Sequence, residues 1–545
     1  MRGCWIGFLG LACGGLLPAP VHAEDFERAL SAYRASLKRP SLHKRTLGRE
    51  RLAATEDPRA LRMLAESYGA AEKPRDQVQY LIVTIATDRF AEPQHLPVYA
   101  EWRQKHGQTK DAWLWYQSLI LQLEGAGPAE LTRIVRTQTH TCLRAAALEA
   151  LRFGQHPVLL ELIPEVARKL PQKPVARAVM LESLAAALWS LRERKAAPEF
   201  RAPAEAVIGH MDEEATLERT RIVMARYLSK IFGVKYTWRS GRRWLAELKT
   251  VQGAKREGRE RYVTFAGIEA TGDRICYAID MSDSMLEPLK ARDLKGLPEG
   301  GPFAGPRAAA ARQEKESKSE EWKKAFKKLR WDKIKNRFDA ARELLKASLL
   351  LLPEDKRYVV IGFGDAAATI RSTRGLTQAT LGNVKRTLHE LDSIRPGPKA
   401  RGRPHGTLRG KTNMHGALHR AFKLRGKGMV GPYEYVHAAT WIGGCDTIFL
   451  LSDGAPTWDD WASPDSKDPE DRAGDPELGA WQDDSSNLIF PGPYRRTGFL
   501  IEDVRRLNLF RKVEIHCVGM GEASMHLLRS LASIGRGHAL KLGGR

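Results

Sequence analysis

Ile275-Cys276-Tyr277-Ala278-Ile279-Asp280-Met281-Ser282-Asp283-Ser284 is the stretch on which the fold turns. A short apolar run ends in a carboxylate, and two hydroxyls follow at alternate positions. A run of that length reads as a strand buried on both faces. Polar residues packed behind it then crowd oxygen donors into one tight loop. Further on, Tyr358 to Phe363, Asp446 to Leu451 and Val513 to Gly519 are apolar runs of the same kind. Between them lie helical patterns such as Lys333 to Leu352, with Ile334, Phe338, Ala341, Leu345 and Leu349 on one face. Buried strands bracketed by helices imply a doubly wound, mostly parallel α/β sheet covered on both sides. Such sheets take ligands beyond the C-terminal ends of their strands.

Two more loops offer oxygen at expected strand ends. Gly410-Lys411-Thr412-Asn413-Met414 opens a helix through Ala421, and Phe449-Leu450-Leu451-Ser452-Asp453-Gly454 is a buried strand ending in a carboxylate. Carboxylate and hydroxyl oxygens are hard donors, suited to Mg²⁺, Mn²⁺ or Ca²⁺ rather than zinc. In this order the three segments resemble the metal-ion-dependent adhesion site of von Willebrand factor A domains. The likeness runs over residues 262–542, about half of the chain, and implies that family's Rossmann-like α/β fold. It implies that Asp280, Ser282 and Ser284 are the first-loop ligands, Thr412 the second, and Asp453 a ligand directly or through water. Mg²⁺ is the expected cation, with Ca²⁺ or Mn²⁺ as alternatives. Few formal charges leave such a cation short of ligands, and in the family a partner's Asp or Glu completes the shell. That is binding, not catalysis: no positioned base or paired nucleophile accompanies the loops. Asp283 stands where relatives often have Gly; its extra carboxylate either faces solvent or supports the cation from behind.

Two decoys fall away on spacing. Gly406-Thr407-Leu408-Arg409-Gly410-Lys411-Thr412 is one residue short of a phosphate loop, with His405 at the position that needs glycine, and no apolar strand runs into it. His415 and His419 share a helix face but lack the Glu of H-E-x-x-H, so a packed or solvated pair is expected, not zinc.

Working toward the N-terminus, residues 24–250 read as an all-helical domain. Apolar residues recur at helical spacing, as in Leu143, Ala146, Ala147, Ala150 and Leu151. Leu148-Glu149, Leu181-Glu182 and Leu217-Glu218 recur 33 and then 36 residues apart. That period fits either HEAT-like stacked helix pairs or a non-repeating bundle. After the tryptophan-rich helix Trp238 to Leu248, the alternation of Tyr262 to Ile268 marks the change to strands. Residues 1–23 read as a signal peptide: Arg2, the apolar run Cys4 to Leu17, then Val21-His22-Ala23. Leu11-Ala12-Cys13 leaves a lipoprotein variant open. The chain is therefore expected to be exported, to the periplasm, the cell envelope or beyond, with no later membrane span.

With 545 residues, 43% hydrophobic and 28% charged, the composition is that of a globular chain of two or three domains. Its net charge of +23 is unusual and favours acidic partners. Nucleic acid is disfavoured, because no aromatic-interleaved basic motif or reader module accompanies the charge. Two inserts flank the proposed site. Residues 286–331 are basic, whereas 457–486 hold ten acidic residues, from Asp459 to Asp484, against Lys467 and Arg472. They are expected either to be loosely packed or to pair by charge across the metal. A third, basic loop, Arg395 to Lys411, leads to Thr412. The cysteines form no framework or CxxC pair, so no essential disulfide is expected. The expected function is recognition or assembly through a partner's acidic side chain at the envelope. The alternative is binding of an anionic polymer or envelope surface through the basic loops, with the metal only structural.

Overall fold

The computed structural model describes residues 26–69, 72, 75–106, 125–234, 237–249, 263–289, 319–394, 410–425, 438–464, 481–482, 488–490 and 492–542. The expected leader, most of the two inserts and most of the Arg395–Lys411 loop lie outside the described residues. The chain divides into two compact units, one of residues 1–106 and 463–490 and the other of 107–462 and 491–545.

In the first unit, helices Phe26–Leu37, Leu42–Ala54, Pro58–Ser67, Arg75–Arg89 and Leu96–His106 bury Leu30, Tyr33, Leu52, Leu61, Leu64 and Tyr99. Tyr68 and Trp102 meet edge to face at 5.2 Å. The buried Arg45 and Arg49 both reach Glu72, Arg45 at 3.0 Å. Such pairing is what makes two buried guanidinium groups tolerable.

Among the described residues, twelve strands follow one another: β1 (Val263–Phe265), β2 (Ile268–Ala270), β3 (Arg274–Asp280), β4 (Arg357–Phe363), β5 (Ala367–Thr369), β6 (Thr377–Gln378), β7 (Thr447–Ser452), β8 (Ser463–Pro464), β9 (Trp481–Gln482), β10 (Leu488–Phe490), β11 (Glu514–Gly519) and β12 (Ala539–Lys541). In the first unit β8, β10 and β9 pair antiparallel as a small sheet. In the second unit seven strands form a mostly parallel sheet ordered β12-β11-β7-β3-β4-β5, with β6 also on β4. The β11–β12, β11–β7, β3–β4 and β3–β7 pairs are parallel, while β5 and β6 run antiparallel at the β4 edge.

The period-two side-chain alternation of β3 divides the core. Ile275, Tyr277 and Ile279 face helices Arg337–Leu351 and Leu381–Ser393 through Phe338, Leu345, Leu349 and Val384. Cys276 and Ala278 face helices Met414–Phe422, Thr497–Asn508 and Met525–Ile534 through Leu418, Val504 and Leu528. Covered on both faces, the four inner strands carry the unbroken apolar runs that the sequence displays.

Two boundaries differ from expectation. The alternating segment from Tyr262 is a hairpin and not one strand, because Ala266 and Gly267 take positive φ (50° and 82°) and turn β1 back onto β2. The helix expected from Lys333 begins at Arg337, where the Asn336 side chain caps it by accepting from the Asp339 N–H at 2.8 Å.

Helices Pro128–Thr137, Thr141–Phe153, Leu159–Ala167, Pro174–Ser190, Arg201–Gly209, Glu218–Phe232 and Gly241–Lys249 belong to the same unit as the seven-stranded sheet. Their core continues into Trp441 and Phe510 of the α/β part. Of the three Leu-Glu pairs, Leu148-Glu149 and Leu181-Glu182 lie inside helices, whereas Leu217 only precedes one. Both interior glutamates are buried ion-pair partners. Glu182 takes the Arg219 guanidinium on both oxygens, at 2.7 and 2.9 Å, and Glu149 bonds Arg152 at 2.6 Å and Lys512.

Burial alone would raise the Glu149 carboxyl, but Arg152, Lys512 and Arg536 more than reverse this and hold it at about 2. A carboxylate depressed from 4.5 stabilises the fold above that value and loses its contribution as pH falls through about 2. Glu149→Gln is therefore expected to cost about 3 kcal/mol at pH 7. Urea unfolding at stepped pH should show parent and variant converging between pH 4.5 and 2. A gap independent of pH would rule out this linkage.

Candidate metal site

The order of the sheet decides where a ligand can sit. From β3 the chain passes to β4 on one side and later to β7 on the other, so the winding reverses at β3. The crevice at such a switch point lies beyond the strands' C-terminal ends. β3 ends in Asp280, and β7 ends in Ser452, immediately before Asp453.

Four of the five expected ligands are joined there by hydrogen bonds. The Ser282 N–H donates to Asp280 Oδ1 at 2.9 Å, folding the loop back on its own carboxylate. Ser282 Oγ and Ser284 Oγ lie 3.1 Å apart, and Ser284 Oγ donates to Asp453 Oδ1 at 2.8 Å. Ser452, which sequence reasoning left without a role, donates its hydroxyl to Asp280 Oδ2 at 2.6 Å and links β7 to β3. Asp280, Ser282, Thr412 and Asp453 are buried, and Ser284 is partly exposed.

The bonds that join the other four do not include Thr412, which is held through its backbone. Its N–H donates to Thr457 Oγ1 at 2.9 Å and its carbonyl accepts from the Thr457 N–H at 3.1 Å, which ties the second loop to the segment after Asp453. The loop after β4 supports both neighbours: Phe363 O accepts from Met281 N at 2.7 Å and Gly364 O from Asn413 N at 2.8 Å. Asn413 caps helix Met414–Phe422 through Gly416 N at 2.7 Å, and its amide nitrogen donates to Asp365 O at 3.1 Å and Asp460 Oδ1 at 2.7 Å. Beside it, the Lys411 ammonium lies 3.5 Å from the centroid of the Trp458 ring, a cation–π contact. The acidic insert thus starts packed on the second loop.

Asp283 is exposed, with its carboxylate over Gly410; a Cβ on that glycine would fall 1.9 Å from Asp283 Oδ2. Burial, then the nearby Asp365 charge, moves its carboxyl upward. His415 is buried with Nε2 2.8 Å from Asp503 Oδ2, and its ring stacks on Tyr494 and His419.

The chemistry of the donor set is the test of fit for a cation. Asp280 is held well above the usual carboxylate range, first by burial and then by the charge of Asp453. Asp280, buried beside a second carboxylate, would be relieved by a hard divalent cation. Among the described residues, no three His, Cys, Asp or Glu side chains group as metal ligands.

Arg337 is a neighbour of Asp453 that sequence reasoning missed. It opens the helix on the far side of the basic insert, and Nη1 donates to Asp453 Oδ2 at 2.7 Å. No local motif announces it; only the fold brings it to Asp453, 116 residues further along the chain.

No protein-family model matches the chain, and no curated protein matches it.

Proposed function

We propose that residues 262–542 are a von Willebrand factor A-type domain whose adhesion site holds one divalent cation, Mg²⁺ by preference, and captures an Asp or Glu of a protein partner. The observation that carries this reading is the linked oxygen cluster of Asp280, Ser282, Ser284 and Asp453 at the point where the sheet reverses its winding. Thr412, on the loop knitted to Thr457, supplies the fifth ligand. When bound, the cation supplies a Lewis-acidic position for an incoming carboxylate. The protein's part is to hold five oxygen donors on loops fixed by strand ends, which favours binding over turnover. No residue is assigned a catalytic role.

Residues 24–250, helical in sequence pattern, present further surface for protein contacts, and the leader sends the chain to the periplasm, envelope or exterior. Among the described residues, no helix is long and apolar enough to cross a membrane.

Calorimetric titration of Mg²⁺, Mn²⁺ and Ca²⁺ into the full chain tests the site, and one equivalent of at least one cation should be taken up. No uptake of any of them overturns the reading. The net charge of +23 favours a second reading, an anionic polymer bound through the basic loops. Capture of envelope proteins lost on adding chelator supports the adhesion reading. Capture of polyanions that survives chelator and collapses with salt supports the other.

A further inference from the structure

Arg337 has more contacts than a helix-start residue needs. Its side chain is buried, with Nη1 bonded to Asp453 Oδ2 at 2.7 Å and to Ser284 O at 3.4 Å. Nη2 pairs with Glu287 at 2.8 Å, and the backbone N–H donates to the Glu287 carbonyl at 3.2 Å. Gly521, at φ +50°, lies against the guanidinium, and a Cβ there would come within 2.4 Å of Cζ. The fork thus sets Nη1 on Asp453 and Nη2 on Glu287.

The contacts divide the Asp453 carboxylate between two tasks. Oδ1 takes the Ser284 hydroxyl and Oδ2 takes the guanidinium. The buried shell therefore contains two carboxylates and one fixed positive charge. Glu287, with more than half of its side chain exposed, is screened by water and offsets little of it. A divalent cation in that shell leaves one net positive charge, whereas without Arg337 the same shell would be neutral.

We propose that Arg337 sets the specificity of the cation site: it weakens the hold on the metal and strengthens the hold on an anionic ligand. This rests on the adhesion reading of the site. A residue that only props up the loop would move both affinities in the same direction when removed. A fixed charge moves them in opposite directions.

The experiment uses the full chain and two probes, Mn²⁺ alone by calorimetry and acetate on the Mn²⁺-loaded chain by water-proton relaxation. Arg337→Gln keeps a hydrogen-bond donor for Asp453 and removes the charge. It should bind Mn²⁺ about tenfold tighter and acetate about tenfold weaker. Arg337→Met should do the same, so either neutral variant that folds decides the matter. Arg337→Lys, which retains the charge, should stay within about threefold of the parent on both. Mn²⁺ affinity that is unchanged or weaker in a folded neutral variant overturns the proposal while the parent's own uptake keeps the adhesion reading intact. Absence of uptake by the parent overturns both.

Discussion

Asp280→Asn should reduce divalent-cation affinity roughly a hundredfold or more, and yet make the cation-free chain harder to unfold. The first effect follows from removing one of only two carboxylates in the donor set. The second follows from the sign of the electrostatics. Burial, and then the Asp453 charge, raise the Asp280 carboxyl, and a raised acid is a cost to folding at any pH above its shifted value. That cost disappears as pH falls toward the ordinary carboxylate range. A neutral amide removes it at every pH. The substitution is tolerable because Asn Oδ1 can still accept from the Ser282 N–H, while the Ser452 hydroxyl can turn to accept from the new amide. Thermal unfolding in chelator at pH 8 should show the variant above the parent by a few degrees, about 1 kcal/mol or more. Added Mg²⁺ should raise the parent and leave the variant where it was. Equal stabilisation of both by Mg²⁺ would remove Asp280 from the ligand set.

Arg226→Met should cost about 3–5 kcal/mol, the largest loss expected of any single substitution discussed. Arg226 comes from helix Glu218–Phe232 and reaches the N-terminal ends of the strands, the edge opposite Asp280. Nε donates to Thr271 Oγ1 at 3.1 Å and Nη1 to Asp446 O at 2.9 Å. Nη2 reaches Thr447 Oγ1 at 2.7 Å and Asp446 Oδ1 at 3.4 Å. The other Asp446 oxygen accepts the N–H groups of Asp273 and Arg274 at 3.1 and 3.0 Å. Burial would raise Glu514 nearby, but Arg226 foremost and His516 after it bring it far below the usual range. Methionine fills the space and takes the guanidinium away from the buried Asp446 and the partly buried Glu514. Loss of the guanidinium should lower the midpoint of thermal unfolding by on the order of 5–10 °C, with cation affinity unchanged because the site lies at the other edge. Arg226→Lys should recover only part, since an ammonium cannot fork across Thr271, Thr447 and Asp446. A loss under about 1 kcal/mol in Arg226→Met would show that helix and sheet are held by apolar contact alone.

The inner strands and the helix opened by Asn413 were legible because burial on both faces writes itself as unbroken apolar runs, and capping needs particular side chains. The carboxylates and serines were legible because each stands where a strand must end. The hairpin at Ala266-Gly267 was not, since two three-residue strands and one longer strand share the same alternation. Nor were Ser452 and Arg337. Ser452 looks like one more residue of a buried strand until Asp280 is beside it in the next strand. Arg337 follows a long insert, and nothing within several residues of it hints at a carboxylate. The role of Glu149 and Glu182 was hidden likewise, because a glutamate inside a helical pattern looks solvated until its cationic partners arrive from elsewhere in the chain.

The Ser284–Asp453 bond spans 169 positions of the chain, and the Ser452–Asp280 bond spans 172. A nascent or partly folded polypeptide therefore has no half-made version of this pocket, since neither loop by itself brings Asp280 and Asp453 together. On the adhesion reading proposed above, ion capture is a late event, conditional on the complete domain. By mass action a bound cation would then act as a latch, withdrawing finished molecules from the unfolding equilibrium and ignoring unfinished ones.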